Sequence, residues 1–299
     1  MLRFDLQDLV KPGSYVVLLG LERREFMALL NGRMKGLNGL RPRSVLYRRP
    51  AAARAPEELS DLISRSFFEA EFQVVAESLH RLCDDATLWV NAPSANAYAR
   101  NKLWQLACAA EAGLAVPPTL VTNDPDIAYA FYLDVERRAI VKPLSPAPAS
   151  SEGGWALFTR LLPESLSAID FSNVRYGSSI LQRFVDKTCD VRVAVVGEVL
   201  LACQILSQGV EQSRVDWRTV ARGLPHIPTE VPPHVAAGLR RLRSRLGLAT
   251  MHADFAVDQG GRWWFLETNP NGQWLWLELE VGIPVSMALA NLLIDANTD

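Results

Sequence analysis

The 299-residue sequence predicts a mixed α+β protein of two or three lobes. Three observations carry that prediction. The chain is long for a single hydrophobic core. Short strand-like apolar runs alternate along it with helical ones. And Met251–Trp274, MHADFAVDQGGRWWFLETNPNGQW, reads as two apolar strands joined by a tight turn at Gly260-Gly261. With 49% hydrophobic and 21% charged residues the composition is that of an ordinary globular protein, and a formal net charge of −2 provides no global basic field for nucleic acid.

Residues 1–95 read as a small α/β lobe. Ser14–Gly20 and Arg43–Tyr47 are strand-like, and Glu57–Leu82 carries Leu59, Leu62, Ile63, Phe67, Ala70, Val74, Leu79 and Leu82 at helical spacing. Thr87–Val90 is a further short strand, and Asn91-Ala92-Pro93-Ser94 marks a boundary. A helix is expected from about Tyr98 to Ala112, ending at Gly113. Thr119–Thr122 reads as a strand, and Asn123-Asp124-Pro125 caps a helix reaching about Leu133. Ala139–Lys142 is a buried-type strand, followed by the small, polar stretch Ser145–Gly154. Ile180–Val185, Asp190–Val196 and Val199–Ser207 are strands, the last two turning at Gly197-Glu198. Gln208–Pro233 is polar and proline-rich, Pro233–Leu246 is a helix ending at Gly247, and Val285–Ile294 is an apolar C-terminal helix.

Several classes are disfavoured. No apolar run approaches the ~18 residues of a membrane span. The N-terminal MLRFDLQDLV lacks a signal-peptide core. Cys83, Cys108, Cys189 and Cys203 show no metal-ligand spacing and sit in apolar stretches, as buried thiols of a cytoplasmic protein do. Arg240, Arg241, Arg243 and Arg245 lie in a helical pattern as a solvated face, whereas the basic run Arg41–Arg49 is a candidate partner surface.

The chemistry concentrates in the hairpin. Pairing about its turn sets Asp254 opposite Glu267, with Asn269 on the same strand face as Glu267. Carboxylates about 5 Å apart repel unless a cation lies between them, and Mg²⁺, with oxygen ligands, is the natural candidate. The alternative is an ordinary solvated acidic pair. Lys142 ends a buried strand just before a small, glycine-containing loop, where it either reaches a phosphate or snorkels to the surface. Lys102, near the start of its helix, is a second phosphate candidate or an exposed lysine. Gln182-Arg183-Phe184-Val185 links two lobes, a common place for a flat ligand. Asp190 and Arg192 share a strand face, as site residues or as a surface ion pair. Asp216-Trp217-Arg218, within Gln208–Arg222, sets two charges around an aromatic, either as a partner-binding anchor or as an internally packed turn.

Taken together, Asn101-Lys102, Val141-Lys142-Pro143, Gln182–Val185, Asp190-Val191-Arg192, Asp254 and Glu267-Thr268-Asn269 make the chain resemble the ATP-grasp enzymes. Tyr47-Arg48-Arg49-Pro50, Val116-Pro117-Pro118-Thr119-Leu120-Val121-Thr122-Asn123-Asp124-Pro125, Asp216-Trp217-Arg218 and Asn269-Pro270-Asn271-Gly272-Gln273-Trp274 make it similar to the microviridin-type peptide maturases, or graspetide synthetases. The resemblance implies an α+β ATP-grasp fold. Two lobes, 96–186 and 187–299, grip ATP behind a small N-terminal α/β pre-ATP-grasp domain, 1–95. Family members usually open with an extra strand and helix before the counterpart of Arg3-Phe4-Asp5, so the expectation is either a shortened N-terminal domain or a misplaced start.

The resemblance further implies an ATP-dependent ligase that closes side-chain ester or amide rings on a ribosomal precursor peptide through an acyl phosphate. Mg²⁺ then lies on Asp254, Glu267 and Asn269, and Lys102 and Lys142 hold phosphates. Arg192 faces the acyl phosphate, and Gln182, Phe184 and Val185 frame adenine with Asp190 on the ribose side. The implied partner is a precursor peptide, leader plus core, with Gln208–Arg222 as the leader-docking segment. A homodimer is kept beside a monomer. Two other readings stand beside this one: a ligase joining amino acids to a small acceptor or a protein C-terminus, and a nucleotide-binding scaffold without turnover.

Overall fold

The structure is a computed structural model that describes residues 15–19, 24–30, 33–36, 42–48, 54–82, 87–144, 159–165, 169–220 and 223–295. The expected loop Ser145–Gly154, Arg3-Phe4-Asp5, Arg49-Pro50, Cys83 and the end of Gln208–Arg222 lie outside these residues. The chain forms two compact units, Met1–Asn96 with Leu289–Asp299, and Ala97–Ala288.

In the first unit β1 (Tyr15–Leu19), β2 (Arg24–Leu30) and β3 (Arg33–Gly36) form an antiparallel sheet. β4 (Ser44–Leu46) pairs in parallel with β5 (Leu88–Val90), and the connection between them carries α1 (Leu62–Leu82), as a parallel pair requires. Asp61 Oδ1 accepts the Ser64 N–H at 2.7 Å and caps the helix later than the apolar pattern suggests. Within the apolar stripe of α1, Leu62, Ile63, Phe67 and Val74 are exposed.

Next come α2 (Pro93–Ala99) and α3 (Lys102–Glu111). The sequence predicts one helix here; Asn101 breaks it. Its backbone is extended and its side chain accepts the Trp104 N–H at 3.1 Å, which makes Lys102 the first residue of α3. β6 (Thr119–Thr122), α4 (Pro125–Asp134), β7 (Ala139–Pro143), β8 (Arg160–Leu161) and β9 (Ser179–Arg183) follow. Asp124 caps α4, with proline in its first turn. These strands form an antiparallel sheet in the order β6-β9-β7-β8.

The larger sheet has the order β12-β11-β10-β13-β14, built from β10 (Lys187–Val196), β11 (Val199–Ile205), β12 (His226–Thr229), β13 (Thr250–Asp258) and β14 (Trp263–Asn269). β10 is its central strand and is buried on both faces, which explains the unbroken apolar run Val193–Val196. Phe255 and Phe265 pack edge to face in the core beneath the hairpin. α5 (Pro233–Arg245) lies between β12 and β13 in sequence and packs tightly against the end of α3. A Cβ at Gly238 would sit 2.5 Å from Leu114, and Arg241 donates to Ala112 O at 2.6 and 3.0 Å. The basic face of α5 is therefore partly structural, since Arg240 and Arg243 also pair with Glu198. α6 (Leu275–Val281) and α7 (Val285–Ile294) close the chain, and within the first unit Ser44 donates to Leu293 O at 2.7 Å. Among the described residues no helix is long and apolar enough to cross a membrane, and Cys108, Cys189 and Cys203 are free and buried.

Candidate active site

The site grows from a bulge in the β13–β14 hairpin. The turn is one residue longer than the sequence predicts: Asp258 N–H donates to Arg262 O at 3.1 Å around Gln259, Gly260 and Gly261, and Gly261 takes φ +78°. That shifts the register, so Phe255 faces Phe265. Leu266 is then an extra residue, and past it Asp254 faces Glu267. The opposed carboxylates are as expected, but a bulge produces them, not a tight two-residue turn. The bulged Leu266 offers its carbonyl outside the ladder, and the Lys142 ammonium donates to it at 3.4 Å.

Four basic side chains converge on these carboxylates. Arg192, 9% exposed on the central strand, sits opposite Asp254 and holds it with two in-plane bonds, Nε–H to Oδ1 at 2.8 Å and Nη2–H to Oδ2 at 2.7 Å. Burial pulls the guanidinium down, and the Asp254 carboxylate more than restores its pKa. Lys102, at the N-terminus of α3, lies 3.7 Å from Glu267 Oε2 and donates to Pro143 O at 3.0 Å. Arg218 donates to Glu267 Oε1 at 2.8 Å. Lys142, 8% exposed, donates to Gln182 Oε1 at 3.2 Å. Burial lowers its pKa to about 8, against the pull of Glu267.

Arg218 belongs to this cluster, and the Asp216–Arg218 ion pair of the packed-turn alternative is present. Arg218 forks onto Asp216 through Nε and Nη2, both at 2.8 Å, and reaches Glu267 with its third nitrogen. Asp216 is buried; desolvation works against its ionisation, and Arg218 nevertheless holds its pKa below the usual carboxylate range. The hydrogen bonds that Arg218 donates to Asp216 raise the guanidinium pKa in turn. Arg218 thus bridges Asp216 to Glu267, with its side chain 43% exposed.

Asp190 and Arg192 are buried and not paired with each other. The resemblance sets Asp190 on the ribose side, yet its oxygens are taken by Lys187 at 2.8 Å and by the Ser207 hydroxyl at 2.6 Å, and it is 3% exposed. Lys187 also donates to Val215 O at 3.1 Å, tying β10 to the segment that carries Arg218. Burial raises the Asp190 pKa despite these donors. Gln182 is fully buried and bridges Thr119 Oγ1, at 2.7 Å, to Lys142. The Phe184 N–H is spent on Arg138 O at 2.7 Å, and Val185 packs with Ala256, Trp264, Ala115 and Leu266. Lys187 and Arg218 are the contributors that sequence reasoning missed as site residues. A lysine three residues ahead of Asp190 was the available signal for the first.

The donor set fits a hard divalent cation. Asp254 and Glu267 supply carboxylate oxygens across the bulge, and Asn269 Oδ1, which accepts the Asn271 N–H at 2.9 Å, keeps a lone pair. Among the described residues, no three His, Cys, Asp or Glu side chains come together as a metal cluster.

No protein-family model and no curated protein matches the chain. Solved structures do. A RiPP-associated ATP-grasp ligase of Chryseobacterium gregarium, in complex with ADP and a leader and core peptide, superposes with TM-score 0.85 at 22% identity, over 98% of this chain and 88% of that one. The macrocyclase MdnB of Microcystis aeruginosa gives TM-score 0.74 at 27% identity, over 94% and 86%. The ATP-grasp ligase PsnB, complexed with minimal precursor, Mg and ADP, gives 0.74 at 23%, over 97% and 87%. The chain therefore has the ATP-grasp fold, in the form shared by the RiPP-associated ligase and the macrocyclase.

Proposed function

We propose that this chain is an ATP-dependent carboxylate ligase that closes ester or amide rings on a ribosomal precursor peptide. The observation that carries the reading is the cluster of Lys102, Lys142, Arg192 and Arg218 around the opposed Asp254 and Glu267. That arrangement suits the transfer of a highly charged phosphoryl group and lacks any need for a protein nucleophile.

In the first step an oxygen of a peptide carboxylate attacks the γ-phosphorus of ATP, the bond to the β-phosphate oxygen breaks, and ADP leaves. In the second a peptide hydroxyl or amine attacks the acyl carbon, inorganic phosphate leaves with the bonding electrons, and the attacking group loses its proton to solvent. Asp254, Glu267 and Asn269 would hold Mg²⁺, which would supply charge neutralisation on the phosphates. Lys102 and Lys142 hold phosphate oxygens, with Gln182 and Leu266 O aiming Lys142. Arg192 meets the charge on the transferring group. Arg218 changes partner from Glu267 to the incoming carboxylate. The Phe184 carbonyl and Val185 backbone read the adenine edge. Asp190 braces Lys187 and Ser207. The lobes 96–186 and 187–299 close around the nucleotide.

The test uses the full chain with ATP, Mg²⁺ and the peptide encoded by a short neighbouring reading frame rich in Thr/Ser/Lys and Asp/Glu. The expected result is peptide-dependent ADP release with loss of one water from the peptide mass per ring. ADP release that leaves the peptide mass unchanged would contradict the reading.

A further inference from the structure

Arg192 spends two of its five N–H donors on Asp254. Such a fork fixes one edge of the guanidinium, but the plane can still tilt about that edge. Two indoles stand where they limit the tilt. The guanidinium carbon lies 5.2 Å from the ring centroid of Trp217 and 6.0 Å from that of Trp276, and the two rings are 5.8 Å apart at 45°. Trp276 is itself backed by His226 at 4.9 Å, and His226 Nδ1 lies 2.8 Å from Glu280 Oε2. Trp217 comes from the turn after β11 and Trp276 from α6, so two separate segments meet on one cation, and His226 of β12 backs the second.

We propose that Trp217 and Trp276 are positioning residues that seat the Arg192 guanidinium for phosphoryl transfer, a proposal that rests on the role given to Arg192 above. The carboxylate alone is an incomplete seat, because Asp254 also serves the metal ion. The ring faces are the part of the seat that does not compete for that ion. Trp217 thereby acquires a function inside the site, and Trp276, which no sequence pattern singled out, acquires one at all.

The test measures binding of ADP with Mg²⁺, with and without beryllium fluoride, a mimic of the transferring phosphoryl group, by calorimetry on folded full-length variants. In wild type the fluoride tightens ADP binding, and Arg192→Lys loses most of that gain. Trp276→Leu and Trp217→Leu each lose about fivefold to twentyfold of it, while ADP alone binds within about twofold of wild type. Trp276→Phe, which keeps a ring face, recovers most of the loss. The double variant Arg192→Lys/Trp276→Leu loses no more than Arg192→Lys. Full gain in both Leu variants, additive losses in the double variant, or Phe behaving like Leu would each overturn the platform while leaving the role of Arg192 standing. A full gain in Arg192→Lys would overturn both together.

Discussion

Arg192 and Arg218 each fork onto an aspartate within one cluster, yet they are built in opposite ways. Arg192 rises from the central strand of the larger sheet, nearly buried, and its partner sits on the adjacent strand. Arg218 sits on a short 3-10 turn with its side chain 43% exposed, and its partner lies two residues away in the same turn. A strand fixes its side chain through the ladder. A turn depends on local bonds, here supplied by Asp216 and by the Lys187 tie to Val215. Under the proposed function, the difference separates two tasks: a fixed charge to face the transition state, and a more exposed charge to exchange Glu267 for a substrate group.

The largest expected effect follows from the fixed partner. Arg192→Lys keeps charge but loses the fork, and peptide-dependent turnover at saturating substrates is expected to fall about 10²–10³-fold. Arg218→Lys is expected to act mainly on the KM for peptide, because Lys keeps a point charge where the group has to move. Equal kcat losses in the two variants would erase the distinction.

The same contrast extends to stability. Asp254→Ala leaves a buried guanidinium without its carboxylate and is expected to cost about 3–5 kcal/mol in urea unfolding. Glu267→Ala removes a partner that faces half-exposed cations and is expected to cost about 1 kcal/mol or less. Similar midpoints for the two variants would show that burial does not set the difference.

A smaller effect is expected from Lys142, whose pKa is about 8 because it is buried. Its charged form is favoured in the unfolded chain, so stability rises with pH from about 8 toward its ordinary value and is lowest below about 8. Nucleotide binding has the opposite sign, since the ammonium is the form that holds phosphate. ATP affinity is expected to weaken from pH 7 to 9, and Lys142→Met should bind more weakly with no such step. A pH-independent ATP affinity in wild type would remove Lys142 from the phosphates.

The two regions also differ in how far the sequence exposes them. Asp254 and Glu267 interrupt apolar strands on either side of a recognisable turn, so their opposition follows from period-two geometry. The bulge at Leu266 is invisible there, because one extra residue in the turn and one in the strand compensate. Strands such as Ala139–Pro143 and Lys187–Val196 are legible from their apolar runs. The short β8, β12 and α6 lack enough periodicity to be found. Arg218 was readable as part of a charged turn, but its contact with Glu267 depends on the path of a long polar connection, which local pattern does not encode. Asp190 was legible as a site-like acid; its buried bonds to Lys187 and Ser207 are long-range packing facts.

The central claim is that the opposed carboxylates on the bulged hairpin, ringed by four basic side chains, drive phosphoryl transfer from ATP to a peptide carboxylate. Glu267→Gln tests it most directly, because it preserves shape and removes only the charge that Lys102, Arg218 and the metal ion share. Peptide-dependent ADP release would be measured with Mg²⁺ for wild type and for the variant, after circular dichroism shows both folded. The account predicts that turnover is abolished in the folded variant. Wild-type ADP release from it would contradict the account.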